Sequence, residues 1–479
     1  MSRNPPVRVA VVGGGLSGLA TAAKLHLLDP SVEVSLFERL DRVGGVIHTE
    51  RVGPFLVDHG ADMFSTKPAA ALEFCQEIGL ENRLIEPNVR GRGARIVREG
   101  KLLPIPNGFV VMRATQRLPM LTTPLLSWKS KLRFLMERWV RPAADKRDES
   151  VADFVRRRMG SEVLDRIVAP LSAGIYTADV TKLSMQATMR SIANMEQTFG
   201  SLAKATAVRR RTGEDSVERN STGARYGQFR AMQGGMVELI QGIANCLPDE
   251  SIHNDATVTS LQRSGDQWEL VVNETAETFD HVVIALPPSP AAKLLEPLAN
   301  DVAEELRRIQ SASTAIVVLG VRRVDIQRPV DTFGFVVPLS ENRRILAGSF
   351  ASQKFSGRAP DDHVLIRVFI GGAMQPELLK KSDVELTSIA MDELSDLIGL
   401  TGDPVMSKVV RWNQAMPQYH VGHTERVKRI DDQMAKLEGL SLVSNALHGV
   451  GIAPVIQLAD KTARNVLEQV SASSDATHR

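Results

Sequence analysis

The chain has 479 residues, 43% hydrophobic and 24% charged, proportions of a soluble globular protein with chain enough for about three domains. A net charge of +2 argues against a dedicated nucleic-acid binder, and two cysteines, Cys75 and Cys246, support neither a disulfide framework nor a thiolate metal site. No apolar run approaches the ~18 residues of a membrane span, and the polar start, Met1 to Arg8, carries no signal peptide, so a cytoplasmic location is expected.

Val7 to Val12 is a β-branched run suited to a strand buried on both faces. Leu16 to Leu28 has helical periodicity and Glu33 to Phe37 reads as the next strand, which makes a βαβ opening. Pro68 and Gly79 bracket a helix. From about Leu102 to Arg210 the chain reads as mostly helical, ending in a polar loop, Arg209 to Arg225. Gly235 to Leu247 reads as a helix, followed by strands at Val258, Trp268 to Val272 and His281 to Leu286. Ser313 to Arg322, Thr332 to Val337, Arg344 to Ala351 and Leu365 to Gly371 read as antiparallel strands. Leu440 to Val443 is a short strand, a glycine-rich turn follows, Pro454 to Val470 is helical, and Ser471 to Arg479 is a polar tail. The expected class is α/β (α+β overall). A discontinuous Rossmann-like domain (1–90, 230–290 and 405–479) is interleaved with a mixed-sheet substrate domain (91–100 and 291–404) and a helical insert (101–229).

Gly13, Gly15 and Gly18 form G-x-G-x-x-G between strand and helix, with Gly14, Leu16 and Ser17 completing the turn. The first glycine permits the tight turn, the second lets backbone approach a pyrophosphate, and the third lets helix and strand pack closely. Glu38, 20 residues after Gly18, can accept hydrogen bonds from a ribose diol and would repel a 2′-phosphate. Asp41-Arg42-Val43-Gly44-Gly45 adds a second glycine loop that a simple NAD enzyme does not need.

These residues resemble the FAD-binding opening of the amine oxidase and protoporphyrinogen oxidase superfamily, and Asp58-His59-Gly60-Ala61-Asp62-Met63 is similar to its next loop, which runs under the flavin. The resemblance implies FAD as cofactor, contacted by Gly13 to Gly18, Glu38, Arg39, Arg42, Gly45 and Val46, then by Gly60, Ala61, Asp62 and Met63. It adds Val258 at the adenine and Trp412, in Arg411-Trp412-x4-Pro417-x-Tyr419-x2-Gly422-His423. The resemblance further implies that Val450, Gly451 and Ile452 present backbone N–H groups and a helix N-terminus to the flavin pyrimidine.

Within the superfamily the chain is most similar to the protoporphyrinogen oxidase family, through Leu171-Ser172-Ala173-Gly174-Ile175-Tyr176-x2-Asp179-x2-Lys182-Leu183-Ser184-Met185, Met416-Pro417-Gln418-Tyr419-x-Val421-Gly422-His423, Gly449-Val450-Gly451-Ile452 and Gln233-Gly234-Gly235-Met236. That likeness implies oxidation of protoporphyrinogen IX in haem biosynthesis by hydride transfer to FAD, with O2 as acceptor and hydrogen peroxide as product. Coproporphyrinogen III is the alternative substrate. Such a macrocycle needs a roomy apolar pocket with a cation at its rim, and Arg95 is similar to the family's propionate-binding arginine. Ala178 stands at the pocket wall where the family has glycine, and Leu447-His448 stands where it often has an aromatic. His448 is a proton relay or, as the simpler reading, a packed or solvated histidine. No general base and no metal site is assigned.

A flavin amine oxidase is the nearest rival, but the chain has three tyrosines in all and no lysine on Ser313 to Gly320. A carotenoid desaturase and a non-catalytic, flavin-loaded porphyrin-delivery partner are further alternatives. Between Lys101 and Arg147 ten Lys or Arg stand against two acids, Glu137 and Asp145, interleaved with Trp128, Trp139 and several Leu and Phe, a pattern suited to peripheral contact with anionic lipid. The resemblance points the same way, and it leaves open contact with a ferrochelatase and a homodimer.

Overall fold

The computed structural model describes residues 6–110, 112–143, 147–213 and 226–477. Val9 and Val11 of the first strand pack on one side of a five-stranded parallel sheet, and Ala10 and Val12 pack on the other. Both faces of the strand are therefore covered, which is why its sequence is apolar throughout. The sheet order is Ile252–His253, Glu33–Phe37, Arg8–Val12, His281–Ile284, Leu440–Leu442. Helices Leu16–Leu28 and Ile452–Thr477 share the first face, and an antiparallel layer, Val258–Ser264, Gln267–Val272 and Thr275–Phe279, contributes to the second. Segments from the start, the middle and the end of the chain thus build this one sheet and its flanking layers, the α/β class expected.

The second sheet has seven strands in the order Met406–Pro417, Ser311–Arg322, His363–Gly371, Ala347–Phe350, Gly334–Val336, Arg95–Arg98, Lys101–Pro104. All pairs are antiparallel except that between Gly334–Val336 and Arg95–Arg98. One face packs on helix Asp383–Ile398, and the other looks toward the insert and the hairpin Thr49–Val52/Phe55–Asp58. Several details differ from the sequence reading. Lys101–Pro104 is a strand of this sheet rather than the start of the helical insert. Met406–Pro417 is a 12-residue edge strand of the same sheet rather than part of the dinucleotide half. As a half-exposed edge it lacks the continuous apolar run that marks a buried strand. The final helix continues to Thr477, through most of the expected polar tail. Residues 214–225 of the expected polar loop lie outside the described residues.

Candidate active site

The glycine-rich turn is built as its spacing requires. A Cβ on Gly18 would lie 1.9 Å from the Gly13 carbonyl oxygen, so only glycine lets helix and turn meet there. A Cβ on Gly15 would meet no protein atom within 4 Å, so this backbone faces open space at the head of the helix. Glu38 is buried beside it, accepting hydrogen bonds from the N–H of Gly14 (2.7 Å) and of Leu40 (2.9 Å). A carboxylate offers about four lone-pair sites, so two remain for a diol. The second glycine loop docks on the first, Gly44 N–H donating to the Gly14 carbonyl at 2.7 Å. Arg42 donates to the carbonyls of Val43 and Gly45 (3.2 and 3.1 Å) and so fastens its own loop. Leu16 and Ser17 are half-buried on the helix, while Arg39, Val46 and Ala61 are exposed. Val258 opens its strand two residues after Ala256, whose N–H donates to the Glu38 carbonyl (2.8 Å).

The next loop hangs on buried ions. Asp58 accepts from Thr49 Oγ1 (2.6 Å) and Met236 N–H (2.9 Å), and Thr49 Oγ1 in turn accepts from Val237 N–H (3.0 Å), which ties the loop to helix Val237–Ala244. Arg358, fully buried, lies 3.6 Å from Asp58 and donates to the carbonyls of Met232 and Gln233. Asp62 is buried between Lys354 (2.6 Å) and Arg367 (3.0 Å), and Arg367 also donates to the Gly60 carbonyl. Burial alone would raise the Asp62 carboxyl, but these two cations hold it well below the ordinary carboxylate range. Trp412 Nε1–H donates to the His59 carbonyl (2.9 Å) and completes the clamp on Gly60–Met63. Beside it His48, Glu50 and His59 bring potential ligand atoms within 4.8 Å of one another. Glu50 is already bound to Lys408 and His59, so an ammonium sits where a metal would compete.

At the far end Tyr419 is the clasp. Its hydroxyl donates to the Asn445 carbonyl and accepts from Gly449 N–H (2.9 Å), and its ring stacks on His423 at 4.0 Å between centroids. His423 Nε2 lies 3.2 Å from the Leu447 carbonyl, and burial pulls this histidine down to about 4, so it is neutral and donates from Nε2. The turn that follows needs Gly449 and Gly451 (φ +134° and +116°), and the final helix starts at Ile452. His448 instead faces outward, 3.2 Å from Asp431, which favours the solvated reading over a relay.

Ala178 is buried in an apolar set that includes Val336, Ala347, Tyr419 and, at its edge, Phe369 and Val450. The two most specific motifs meet here: Ser184 N–H donates to the Tyr419 carbonyl (2.7 Å), Val421 N–H to that of Lys182 (2.8 Å), and Gln418 Nε2–H to that of Tyr176 (3.1 Å). Buried atoms Thr177 Oγ1, Thr314 Oγ1, Ser349 Oγ and Gln418 Oε1 have no hydrogen-bond partner among the described residues. Thr314 is paired across strands with Trp412, and Ser349 with Arg367, so two of these orphans adjoin residues that clamp the Gly60 loop. Buried polar atoms rarely go unpaired without reason, and their position fits a bound polar-edged ring.

Arg95 is not brought to this apolar set. It pairs with Asp331 at 2.8 Å and donates to the Leu102 carbonyl at 3.4 Å. Successive strand residues face opposite sides. Ile96 joins the Ala178 set, while Val97 packs against the helix Asp383–Ile398 side, and Arg95 shares the face of Val97. Lys354, Arg358 and Arg367 were not singled out in the sequence, although an arginine inside the apolar strand His363–Gly371 is the signal that could have found one of them.

The sequence profile of the flavin containing amine oxidoreductase family matches residues 16–467. The chain belongs to that family. Within this flavin-containing family it is 30% identical to the coproporphyrinogen III oxidase of Bacillus subtilis, over 94% of this chain and 95% of that protein. It is 28% identical to protoporphyrinogen oxidase 2 of Arabidopsis thaliana, over 98% and 95%. A crystal structure from Exiguobacterium sp. 255-15 superposes with a TM-score of 0.85 at 26% identity, covering 97% and 99% of the two chains. This flavin-dependent oxidoreductase is thus similar along nearly its full length to enzymes named for porphyrinogen oxidation, and its cofactor is FAD.

Proposed function

We propose that the protein oxidises protoporphyrinogen IX to protoporphyrin IX, with O2 as the terminal acceptor and hydrogen peroxide as product. The observation that carries the reading is the apolar set around Ala178, where the two porphyrinogen-oxidase-like motifs are hydrogen-bonded to each other and Val450 packs at the edge. The bound flavin supplies the two-electron acceptor for each oxidation of the macrocycle. The cradle residues are proposed to hold it as follows: Gly13 to Gly18 and the helix N-terminus at the pyrophosphate, Glu38 at the ribose, and Val258 at the adenine. Gly60 to Met63 and Val450 to Ile452 flank the ring, with Arg42, Gly45, Val46, Arg39 and Trp412 on the rim and the supporting shell. Lys354, Arg367 and Tyr419 fix the two loops, which would spare the site reorganisation when the flavin and substrate bind. Ala178, Val336, Phe369 and Val450 would offer the macrocycle an apolar wall, and the pyrrole proton would leave to solvent.

An apolar wall whose neighbouring cations, Lys354 and Arg367, are committed to Asp62 suits a substrate with vinyl groups. The Bacillus subtilis relative favours the second reading, coproporphyrinogen III, whose extra propionates need further cations. Anaerobic bleaching of the yellow protein by each porphyrinogen, followed by porphyrin fluorescence on admitting O2, separates the two. Oxidation of neither overturns the proposal.

We also propose peripheral membrane contact through the insert. Leu118, Trp128 and Trp139 are 70%, 70% and 74% exposed, with Leu132 and Met136 also exposed among Arg117, Lys129, Lys131 and Arg138. Aromatic and basic side chains so mixed match the interface of an anionic bilayer, each basic residue contributing about 1 kcal/mol. No helix among the described residues is long and apolar enough to cross a membrane. Cosedimentation with phosphatidylglycerol vesicles should be strong at low salt and fade as salt rises; protein left in the supernatant at low salt overturns this.

A further inference from the structure

The insert holds a cavity of about 850 Å3 whose lining does not include Ala178 or any residue of the flavin cradle. Its wall is apolar where Met112, Phe134, Met159 and Leu202 line it, and these belong to or pack on the insert's own core. Arg117, Arg210 and Arg211 also line it; all three are exposed, and none of their side chains has a hydrogen-bonded or ionic partner among the described residues. Its one acid, Glu137, is already neutralised. It is buried, paired with Arg158, and accepts from the N–H groups of Leu202 and Ala203 (2.9 Å each) at the head of helix Leu202–Arg211. The cavity is therefore an apolar compartment with a cationic lining, and this combination fits a ligand with one anionic head and a hydrocarbon body.

The cavity reaches the exposed ridge described above. Leu118 and Leu135 line the cavity and are themselves exposed, and Leu135 ends the helix, Trp128–Leu135, whose other exposed apolar residues are Trp128 and Leu132. We infer that this cavity receives a single anionic phospholipid from the bilayer, its phosphate among Arg117, Arg210 and Arg211 and an acyl chain along Met112, Phe134 and Met159. The inference rests on the reading of the insert as a membrane-contact surface, and it adds a stoichiometric lipid site to what would otherwise be non-stoichiometric adhesion.

Short-chain, monomeric lipid separates the site from the surface. Dioctanoyl phosphatidylglycerol, titrated into the FAD-loaded protein below its micelle concentration, should bind at one site per chain, at least tenfold tighter than dioctanoyl phosphatidylcholine. Ala207→Trp fills the cavity from an exposed helix position and should cut phosphatidylglycerol affinity at least tenfold without changing the melting temperature or porphyrinogen turnover. Arg210→Glu combined with Arg211→Glu should abolish the preference for the anionic head. Vesicle binding that persists in Ala207→Trp, with monomeric lipid binding lost, supports the site and leaves the membrane surface standing. Vesicle binding with no saturable monomeric site overturns the inference and not the surface. Monomeric binding without vesicle binding overturns the surface and keeps the cavity as a site for a free anionic amphiphile. Stoichiometric binding of coproporphyrin that Ala207→Trp removes, with no lipid binding, assigns the cavity to a tetrapyrrole and overturns the lipid inference.

Discussion

The ion cluster under the Gly60 loop makes a demanding test. Asp62→Asn keeps the side-chain volume but leaves Lys354 and Arg367 facing each other with no countercharge, all three positions being buried. Removing one partner of a buried pair typically costs about 3–5 kcal/mol. Urea unfolding of FAD-loaded and FAD-stripped protein near neutral pH, followed by tryptophan fluorescence, should therefore show a loss of about 3–5 kcal/mol in both forms. Adding Lys354→Met should recover part of it, because Arg367 keeps the Gly60 carbonyl. The acid limb supplies a second reading. The Asp62 carboxyl is held below its ordinary value, so its contribution is complete above the unfolded value of ~3.9 and disappears as pH falls toward the native one. Asp62→Asn should accordingly flatten the acid destabilisation below about pH 4. A loss under about 1 kcal/mol, or a double variant no more stable than the single one, would refute the cluster as the loop's anchor.

Four further outcomes are expected. Gly15→Ala should fold with an unchanged apo melting temperature yet lose flavin, whereas Gly18→Ala, whose Cβ would strike the Gly13 carbonyl, should lower the melting temperature itself; equal effects at the two positions would contradict the cradle. Tyr419→Phe unpairs the Asn445 carbonyl and Gly449 N–H and should cost about 1–3 kcal/mol, seen as weaker flavin retention and slower turnover. Arg95→Ala removes a part-exposed pair with Asp331 and a long hydrogen bond to the Leu102 carbonyl and should change stability by under about 1 kcal/mol with porphyrinogen KM unchanged; a large rise in KM would return Arg95 to the substrate. His281 is buried against Ser441 Oγ (2.9 Å), and burial pulls it down to about 4, so the neutral form it prefers stabilises the fold fully above ~6.5 and less as pH falls through about 4. His281→Leu should flatten the stability profile across that window, and a profile that keeps the wild-type slope would mean His281 is charged in the fold.

What the sequence disclosed, and what it withheld, follows from how far each feature depends on partners. The glycine turn and Glu38 are legible because their chemistry is local: the Gly14 N–H reaches the Glu38 carboxylate across one βαβ unit, and the spacing alone sets that up. Arg95 was misplaced because the side to which a strand residue points is fixed by its register, and the partner, Gly334–Val336, lies over two hundred residues away. The strand Lys101–Pro104 was hidden for a similar reason, since four residues with only two apolar positions gain their pairing from Arg95–Arg98 and not from periodicity. The Met416 to His423 motif was visible as a pattern and silent as to role. Only the fold shows that Tyr419 holds the Asn445–Gly449 turn through its hydroxyl, and the insert through its backbone carbonyl. The same tyrosine therefore joins the apolar set around Ala178 to the turn at the head of the final helix, a link between distant segments that no local spacing encodes.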